Sequence, residues 1–319
     1  MQSKTTSPAA LLEKMLLVRA FELQNVALAA AGKARGTCTS VGQEAAAVGV
    51  VMALGSQDRI LTNHRSAGHL LARGADPGRV LAEMMGKATG YCKGKSGSLH
   101  ISAKELGVVL TSTIVGGELS LATGVALSLS MQQESDGIVA CLFGDGAACE
   151  GSFHESLNLA AVWNLPVLYV CENNQWQAYV HRNETMLTDR IASRASAYGI
   201  EGITVDGNDA EAVFEAAAAA AAKVRETRKP MLLETYTYRT RGHYEPDDQA
   251  YVETQELAQW QQRDPIELLK DKLVRQGALT RGDVDLMQAR VQETLAAALT
   301  FAETSPFPDA SELLTDVYA

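Results

Sequence analysis

The sequence predicts an α/β fold in which a mainly parallel sheet is flanked by helices, with helical extensions at both ends of the chain. Apolar runs of strand length alternate with longer segments of helical spacing, as is typical of βαβ units. Two such runs, at residues 138–143 and 166–171, enclose a helical segment at 149–163. The 319 residues are 46% hydrophobic and contain no internal repeat and no linker that would divide them. We therefore expect residues 1–319 to form a single domain.

The segments before this unit are assigned from their start signals and apolar spacing. Ser7 and Pro8 mark the start of the first helix, because serine caps a helix and proline fits its first turn. The predicted elements are helices at 8–31, 41–54, 77–85 and 120–131, and a strand at 58–62. Residues 86–107 are rich in Gly, Lys and Ser and form either a flexible lid or a solvated connection.

The segments after this unit continue the α/β pattern. The predicted elements are strands at 203–205 and 231–236, an alanine-dominated helix at 211–225, and a helical tail from 264 to 319 that is interrupted at 305–308. Residues 245–251 are polar, and we expect them to be mobile.

The functional signal is strongest where the two apolar runs end. Gly144, Asp145 and Gly146 follow the first run, and after about 26 further residues the pair Asn173-Asn174 follows the second. Neighbouring parallel strands end at the same edge, where open α/β sheets bind ligands. A carboxylate, an amide oxygen and a main-chain carbonyl suit Mg²⁺ and leave room for phosphate oxygens. The glycines and the following helix N-terminus favour a diphosphate beside the metal.

Two alternatives apply to the same residues. The first is an ordinary tight βα turn next to an asparagine-rich loop. The second is a dinucleotide site, which requires a third glycine three residues after Gly146, whereas here four residues precede Gly151. The acidic residue that would bind a ribose is also missing, because Glu172 leads directly into the asparagine pair. The spacing therefore argues against a dinucleotide.

Two further polar residues follow predicted strands. Arg65 lies just after the strand at 58–62, where a guanidinium can meet a diphosphate, although a surface charge is the alternative. His243 follows the last strand in a polar segment. With an unperturbed pKa of about 6.5 a histidine can hold or donate a proton near neutral pH. The alternative for His243 is a solvated loop residue.

Composition excludes several classes of partner. The net charge of −10 argues against nucleic acid or an anionic membrane surface as the main partner. No apolar run of about 18 residues occurs, and the N-terminus has no signal-like segment, so we expect no membrane span and a cytoplasmic location. Five cysteines, an odd number, indicate reduced thiols. Cys141 and Cys171 are expected to be small core residues.

Several motifs together give the chain a family resemblance. LLEKMLLVRAFE, VGQEAAAVG, GKSGSLHI, the glycine-to-asparagine stretch and YRTRGHYE occur in the family's order over nearly the whole chain. The sequence resembles the α subunit of the E1 component of 2-oxo acid and acetoin dehydrogenase complexes. This resemblance implies a thiamine diphosphate-binding fold, thiamine diphosphate and Mg²⁺ as cofactors, and an oxidoreductase that is active only with a β subunit.

The resemblance also assigns the metal and diphosphate positions. Asp145 and Asn174 would be side-chain ligands of Mg²⁺, and Trp176 would contribute its main-chain oxygen. The turn that approaches the cofactor comprises Gly144, Asp145, Gly146 and Ala147. His64 and Arg65 match a diphosphate-binding pair.

The remaining assignments concern the heterocyclic end of the cofactor and catalysis. Backbone groups at Thr113 and Val115 match positions that hold the aminopyrimidine. His243 matches a loop histidine near the thiazolium that is linked to diphosphate binding and acyl transfer, and His100 matches a second loop histidine.

The resemblance implies a division of labour between subunits. The cofactor supplies carbanion chemistry that breaks a carbon–carbon bond of a small ketone, and the acyl group then passes to a lipoyl group on an E2 partner. The β subunit supplies the glutamate that activates the cofactor. The chain is therefore expected to hold half of an active site in an α2β2 assembly.

Departures from the family pattern leave the substrate open. Thr37-Cys38-Thr39 and Ala67 stand where pyruvate- and acetoin-type relatives often have histidines, although GKSGSLHI resembles that branch more than the branched-chain one. A pyruvate-like or branched-chain 2-oxo acid and acetoin all remain candidates. Tyr244 replaces a serine that is regulated in branched-chain relatives, so that control is not implied.

Other functions are compatible with the same resemblance. The chain could retain thiamine diphosphate as a repurposed subunit in non-lipoyl carboligation or acyl transfer, or serve as a non-catalytic structural subunit. A complete homomeric decarboxylase is disfavoured, because 319 residues hold only one of the two cofactor half-domains.

Overall fold

Six parallel strands form the central sheet of the structure, a computed structural model that describes residues 6–132 and 136–316. In chain order the strands of these residues are β1 (Arg59–Thr62), β2 (Val108–Thr111), β3 (Val139–Gly144), β4 (Val167–Asn173), β5 (Trp176–Gln177), β6 (Val180–His181), β7 (Glu201–Asp206) and β8 (Met231–Tyr236). The sheet order is β2-β1-β3-β4-β8-β7, and each neighbouring pair is parallel. β5 and β6 form a separate antiparallel hairpin. The α/β fold with a mainly parallel sheet is confirmed.

Helices flank the sheet and extend both ends of the described chain. They are α1 (Pro8–Ala30), α2 (Glu44–Ala53), α3 (Ala67–Arg73), α4 (Pro77–Met84), α5 (Gly117–Met131), α6 (Gly151–Trp163), α7 (Ala210–Thr227), α8 (Thr254–Gln261), α9 (Pro265–Arg275) and α10 (Arg281–Thr304). Short 3-10 helices lie at Lys104–Leu106, Ala147–Cys149, Arg182–Glu184, Ile191–Tyr198 and Ala310–Leu314. The first helix begins as predicted, with the Ala10 N–H donating to Ser7 Oγ at 3.2 Å.

The side chains of β3 alternate between two apolar clusters, one on each face of the sheet. Ala140 and Leu142 pack in the cluster that includes residues of α1, α2, α4, α7 and α10. Val139, Cys141 and Phe143 pack in the cluster that includes residues of α5 and α6. A strand buried on both faces is apolar throughout, which explains the uninterrupted run in the sequence. Cys141 is a small core residue, as predicted.

Two helices begin three residues away from their predicted starts. The helix expected at 41–54 begins at Glu44, because Gly42 has a φ of +91° and Thr240 lies 2.7 Å from the position of an added Cβ. The helix expected at 120–131 begins at Gly117, which places Glu118 in its first turn. The sequence did not predict α3, β2, the β5–β6 hairpin or α8.

The segment 245–251 contains no helix or strand but has defined partners. Asp247 accepts hydrogen bonds from the His243 N–H at 2.7 Å and the Tyr251 hydroxyl at 2.7 Å. The Glu245 N–H donates to the Thr37 carbonyl at 2.8 Å. The Glu245 bond joins the segment to the loop before α2.

The remaining predictions concern the cysteines, membrane spans, the chain ends and the domain organisation. All five cysteines lie in the described residues and are free thiols. Within 6–132 and 136–316, no helix is both long and apolar enough to cross a membrane. The last part of the predicted helical tail, 317–319, and residues 1–5 lie outside the described residues. The single-domain organisation stays a prediction.

Candidate active site

A cleft of about 280 Å³ opens at the carboxyl ends of β1, β3 and β4. Ten of the twelve predicted site residues line it: His64, Arg65, Val115, Gly144, Asp145, Gly146, Ala147, Asn174, Trp176 and His243. The other two, Thr113 and His100, contact each other, with 3.4 Å between Thr113 Oγ1 and His100 Nε2. Thr113 lies between two lining residues, Ser112 and Ile114. The structure thus brings the predicted set together, and the individual roles stay predictions.

Asp145 lies at the end of β3 with a buried, uncompensated carboxylate. Its residue is 1% exposed, and within the described part of the chain neither carboxylate oxygen has a hydrogen-bond partner. Burial raises the pKa of Asp145 to about 6, although Arg182 and Arg239 oppose this shift. A buried carboxylate without a partner is costly. The group is therefore suited to a bound cation.

Asn174 and Trp176 complete the predicted metal set after β4. The Asn174 amide donates from Nδ2 to Gln43 Oε1 at 3.0 Å and accepts at Oδ1 from the Trp176 N–H at 3.1 Å. This fixes the orientation of the amide and leaves one lone pair of Oδ1 for another partner. Gln175, between them, has a φ of +70°, so the backbone turns sharply here.

Arg65 is a buried cation that holds two loops against the cleft. Its Nη1 donates to the Thr39 carbonyl at 2.8 Å, and its Nη2 donates to the His243 carbonyl at 2.9 Å. Its own N–H donates to Asn63 Oδ1 at 2.8 Å. Burial lowers the pKa of Arg65. Because these side-chain contacts are to neutral groups, the guanidinium is suited to an anionic ligand in the cleft.

His243 has a defined tautomer. Its Nδ1 lies 3.2 Å from Arg65 Nη2, and a guanidinium can only donate. In the neutral ring Nδ1 is therefore the acceptor, and Nε2 carries the hydrogen. Burial, followed by the charges of Arg65 and Arg239, lowers the pKa of His243 to about 4. The unperturbed pKa of about 6.5 does not apply in this environment, because burial and both arginines disfavour the charged imidazole.

His64 shares this environment. Its ring centroid lies 5.8 Å from that of His243, and its Nε2 has no hydrogen-bond partner among residues 6–132 and 136–316. Burial, followed by the charge of Arg65, lowers the pKa of His64 to about 3. The cleft therefore contains two neutral imidazoles at neutral pH.

A buried hydrogen-bond chain supports the cleft and was missed from the sequence. Thr62 Oγ1 lies 2.6 Å from His69 Nδ1, and His69 Nε2 lies 2.8 Å from Glu172 Oε1. Glu172 Oε2 accepts from Asn63 Nδ2 at 3.2 Å. The available signal was the position of Glu172 at the end of β4 and of a histidine two residues after Ala67.

Glu118 is a second missed residue of the cleft. It lies in the first turn of α5, lines the cleft and is 2% exposed. Its Oε2 has no hydrogen-bond partner in the residues that the structure describes. Burial raises the pKa of Glu118 to about 7. The helix was predicted to start at residue 120, so Glu118 was assigned to the preceding turn. A glutamate in a turn is usually solvent-exposed and does not indicate a site.

Comparison with known proteins shows which family this chain belongs to. The family model described as "Dehydrogenase E1 component" matches residues 13–311. The chain is a member of the dehydrogenase E1 component family. Membership implies thiamine diphosphate as the cofactor, a β subunit as a partner and association with an E2 component.

Three relatives of this E1 chain carry more specific names. The α subunit of an acetoin:2,6-dichlorophenolindophenol oxidoreductase from Bacillus subtilis is 42% identical over 308 residues, which cover 96% of this chain and 92% of the relative. A protein of the same name from Cupriavidus necator is 39% identical, over 87% of this chain and 83% of the relative. The α subunit of the pyruvate dehydrogenase E1 component from Rhizobium meliloti is 37% identical, over 95% of this chain and 88% of the relative.

The E1 chain leaves one wall of the cleft open. Ile114 and Val115, which line it, are 68% and 54% exposed. The outer sides of α5 and α6 carry further exposed apolar residues: Leu121, Leu127, Met131, Val162 and Trp163. Extended apolar surface of this kind marks protein–protein contacts. The open wall and the two helix faces therefore suit a second subunit.

Proposed function

We propose that the chain is the α subunit of an α2β2 thiamine diphosphate-dependent dehydrogenase. The enzyme cleaves acetoin or a 2-oxo acid and passes the acyl group to a lipoyl group on an E2 partner. The observation that carries the proposal is the buried, unpartnered carboxylate of Asp145 in a cleft that also contains Asn174 and Arg65. Family membership and the names of the relatives support the same reaction class.

The residues of the cleft fit the cofactor and its metal. Asp145, the Asn174 amide oxygen and the Trp176 main-chain oxygen form the hard-oxygen set that Mg²⁺ prefers. An added Cβ at Gly144 would meet no atom within 4 Å, so the space in front of the turn is free for a ligand. Gly146 and the neighbouring Ala147 also line this space.

The remaining predicted residues would hold the rest of the diphosphate and the heterocyclic end of the ligand. His64 and Arg65 would hold the diphosphate, because a guanidinium binds phosphate oxygens well. Backbone groups of Thr113 and Val115 would hold the aminopyrimidine. When bound, thiamine diphosphate supplies the carbanion chemistry that cleaves a carbon–carbon bond beside a carbonyl.

The contribution of His243 follows from its tautomer. Arg65 occupies Nδ1, so the Nε2–H is the group available to donate to a ligand. A negative ligand in the cleft opposes the charges of Arg65 and Arg239 and raises the pKa of His243. His243 would then hold a proton for the acyl-transfer step. His100, whose ring contacts Thr113, would stand at the edge of the same cleft.

A substrate panel tests the proposed reaction. The chain is produced together with its β subunit and assayed with acetoin, pyruvate and branched-chain 2-oxo acids. Cleavage is followed with 2,6-dichlorophenolindophenol as an artificial electron acceptor, and acyl transfer is followed with lipoamide. Turnover of one of these substrates supports the proposal. Cofactor binding without any cleavage would favour a repurposed or structural subunit instead.

A second experiment tests the metal assignment. Asp145→Asn removes the unpartnered charge, so the affinity for Mg²⁺ with thiamine diphosphate should fall at least about 100-fold, as for loss of a metal ligand. Calorimetry on the assembled protein measures it, with Asp285→Asn on the exposed side of α10 as the matched control. Unchanged affinity in Asp145→Asn would falsify the assignment.

The cytoplasmic location stays a prediction.

A further inference from the structure

The glycine-rich residues 86–100, called here the His100 loop, connect the end of α4 to the cleft. After the loop, the Ile101 N–H donates to Thr111 Oγ1 at 2.8 Å, and the Thr111 N–H donates to the Ile101 carbonyl at 3.0 Å. These bonds attach the loop's end to β2. Three residues separate Ser96 from His100. The position of His100 therefore depends on how Ser96 and its neighbours are held.

A single buried carboxylate holds that part of the loop. Glu83, near the end of α4, is fully buried. Its Oε2 accepts from the N–H groups of Cys92 at 2.7 Å and Gly94 at 2.9 Å. Its Oε1 accepts from the Ser96 N–H at 2.8 Å and the Ser96 hydroxyl at 2.9 Å. One side chain thus receives four hydrogen bonds from three residues of the loop, all within the five-residue stretch 92–96.

The loop's sequence fits this carboxylate. An added Cβ at Gly90 would lie 2.3 Å from Glu83 Oε2, so only glycine allows the chain to pass this closely. Gly94 has a φ of +76°, which favours glycine, and its N–H points to the carboxylate. Hydrogen bonds to an ionised acceptor are about twice as strong as neutral ones. The loop is therefore anchored on its inner side, while the alternatives of a lid and a solvated connection stay predictions.

A second set of contacts ties the loop to the C-terminal segment and is weaker. Lys95 Nζ lies 3.0 Å from both Glu312 Oε2 and Asp316 Oδ2, and Lys93 Nζ lies 3.1 Å from Asp316 Oδ2. These side chains are partly exposed, and such pairs are screened by salt. The buried Glu83 is therefore the principal anchor.

We propose that Glu83 is a positioning residue that acts on the reaction through His100. By holding residues 92–96, it fixes the short segment that carries His100 to the edge of the cleft. The proposal rests on the proposed function for the role of His100, but the anchoring itself is measurable without turnover. No contact of Glu83 with substrate or cofactor is involved.

Glu83→Gln tests the anchoring. A glutamine keeps the shape but turns one acceptor oxygen into an NH₂ group that faces backbone donors. Loss of two charge-assisted bonds should speed amide exchange of the peptide over 90–100 by about 10- to 100-fold. Hydrogen exchange by mass spectrometry on the assembled enzyme measures it. Glu105→Gln, at an exposed ion pair with Arg79 just after the loop, is the control and should leave this peptide unchanged.

A double-mutant cycle tests the action through His100. Glu83→Gln and His100→Ala should each lower kcat/KM, and Glu83→Gln should have less than a twofold effect in the His100→Ala background. A general loss of structure would instead multiply the two effects. Multiplicative effects, or unchanged exchange in Glu83→Gln, would overturn the proposal.

Ser96→Ala provides a second variant in case Glu83→Gln does not fold. It removes only the hydroxyl bond to Glu83 and leaves the buried charge with three donors. Exchange of the same peptide should rise about threefold to tenfold, and its kcat/KM effect should disappear in the His100→Ala background. Unchanged exchange in Ser96→Ala would also count against the anchoring. If the wild type turns over no substrate, the proposed function fails, whereas the exchange results still decide the anchoring.

Discussion

Replacement of Glu118 should stabilise the protein above neutral pH. The carboxyl group is buried with one oxygen unpartnered within the described residues, and its pKa is raised to about 7 from an ordinary value of 4.5. A shift of this size corresponds to about 3 kcal/mol of unfavourable free energy when the group is ionised. Glutamine has the same shape and no charge, but its buried amide offsets about 1 kcal/mol of the gain. Glu118→Gln should therefore gain about 2 kcal/mol.

The pH dependence gives this prediction its sign. Below pH 4.5 the carboxyl is protonated in the folded and unfolded states, so it contributes no difference. Between pH 4.5 and about 7 the unfolded chain releases the proton first, so the stability of the wild type falls as the pH rises. The advantage of Glu118→Gln should thus be near zero at pH 5 and complete at pH 8.

Calorimetric unfolding of the assembled protein without Mg²⁺ and thiamine diphosphate measures the effect. For a chain of this length, 2 kcal/mol corresponds to about 3 °C in the unfolding midpoint at pH 8. Glu172→Gln is the matched control, because that carboxylate is bonded to His69 and Asn63 and its loss should lower stability by about 1–3 kcal/mol. A Glu118→Gln protein that is less stable than the wild type at pH 8 would refute the reasoning, since it would reveal a partner for the charge.

Two further predictions concern catalysis and assembly. His243→Ala should reduce acyl transfer to lipoamide about 100-fold more than cleavage measured with an artificial acceptor, because only acyl transfer needs the Nε2–H of His243. An equal loss of both rates would limit His243 to cofactor binding. The chain produced alone should be inactive and should self-associate in sizing experiments, because Met131 and Trp163 expose apolar surface; a stable, active monomer would contradict the two-subunit proposal.

The parts of the site that follow from strand ends could be predicted from sequence. Asp145 lies two residues after one apolar run and Asn174 three residues after the next, and parallel strands bring such residues to one edge regardless of the details of packing. The start of α1 could also be predicted, because a serine followed by proline is a local signal. These predictions depend on neighbours in the sequence.

The missed features depend on residues far apart in the chain. The low pKa of His243 comes from burial and from Arg65, which precedes it by 178 residues and whose proximity no local pattern reveals. Glu83 is an ordinary helix residue in the sequence, and its role appears only when residues 92–96 fold back on it.

The open wall at Ile114 and Val115 has a thermodynamic consequence for assembly. A ligand enclosed between two subunits binds the assembled state far better than the separated chains, so by mass action it strengthens their association. At 100 times its dissociation constant, such a ligand contributes about 2.7 kcal/mol for each site, equivalent to about 100-fold in the association constant. Cofactor depletion and subunit dissociation would then be linked equilibria, and the small molecule would act as part of the quaternary structure.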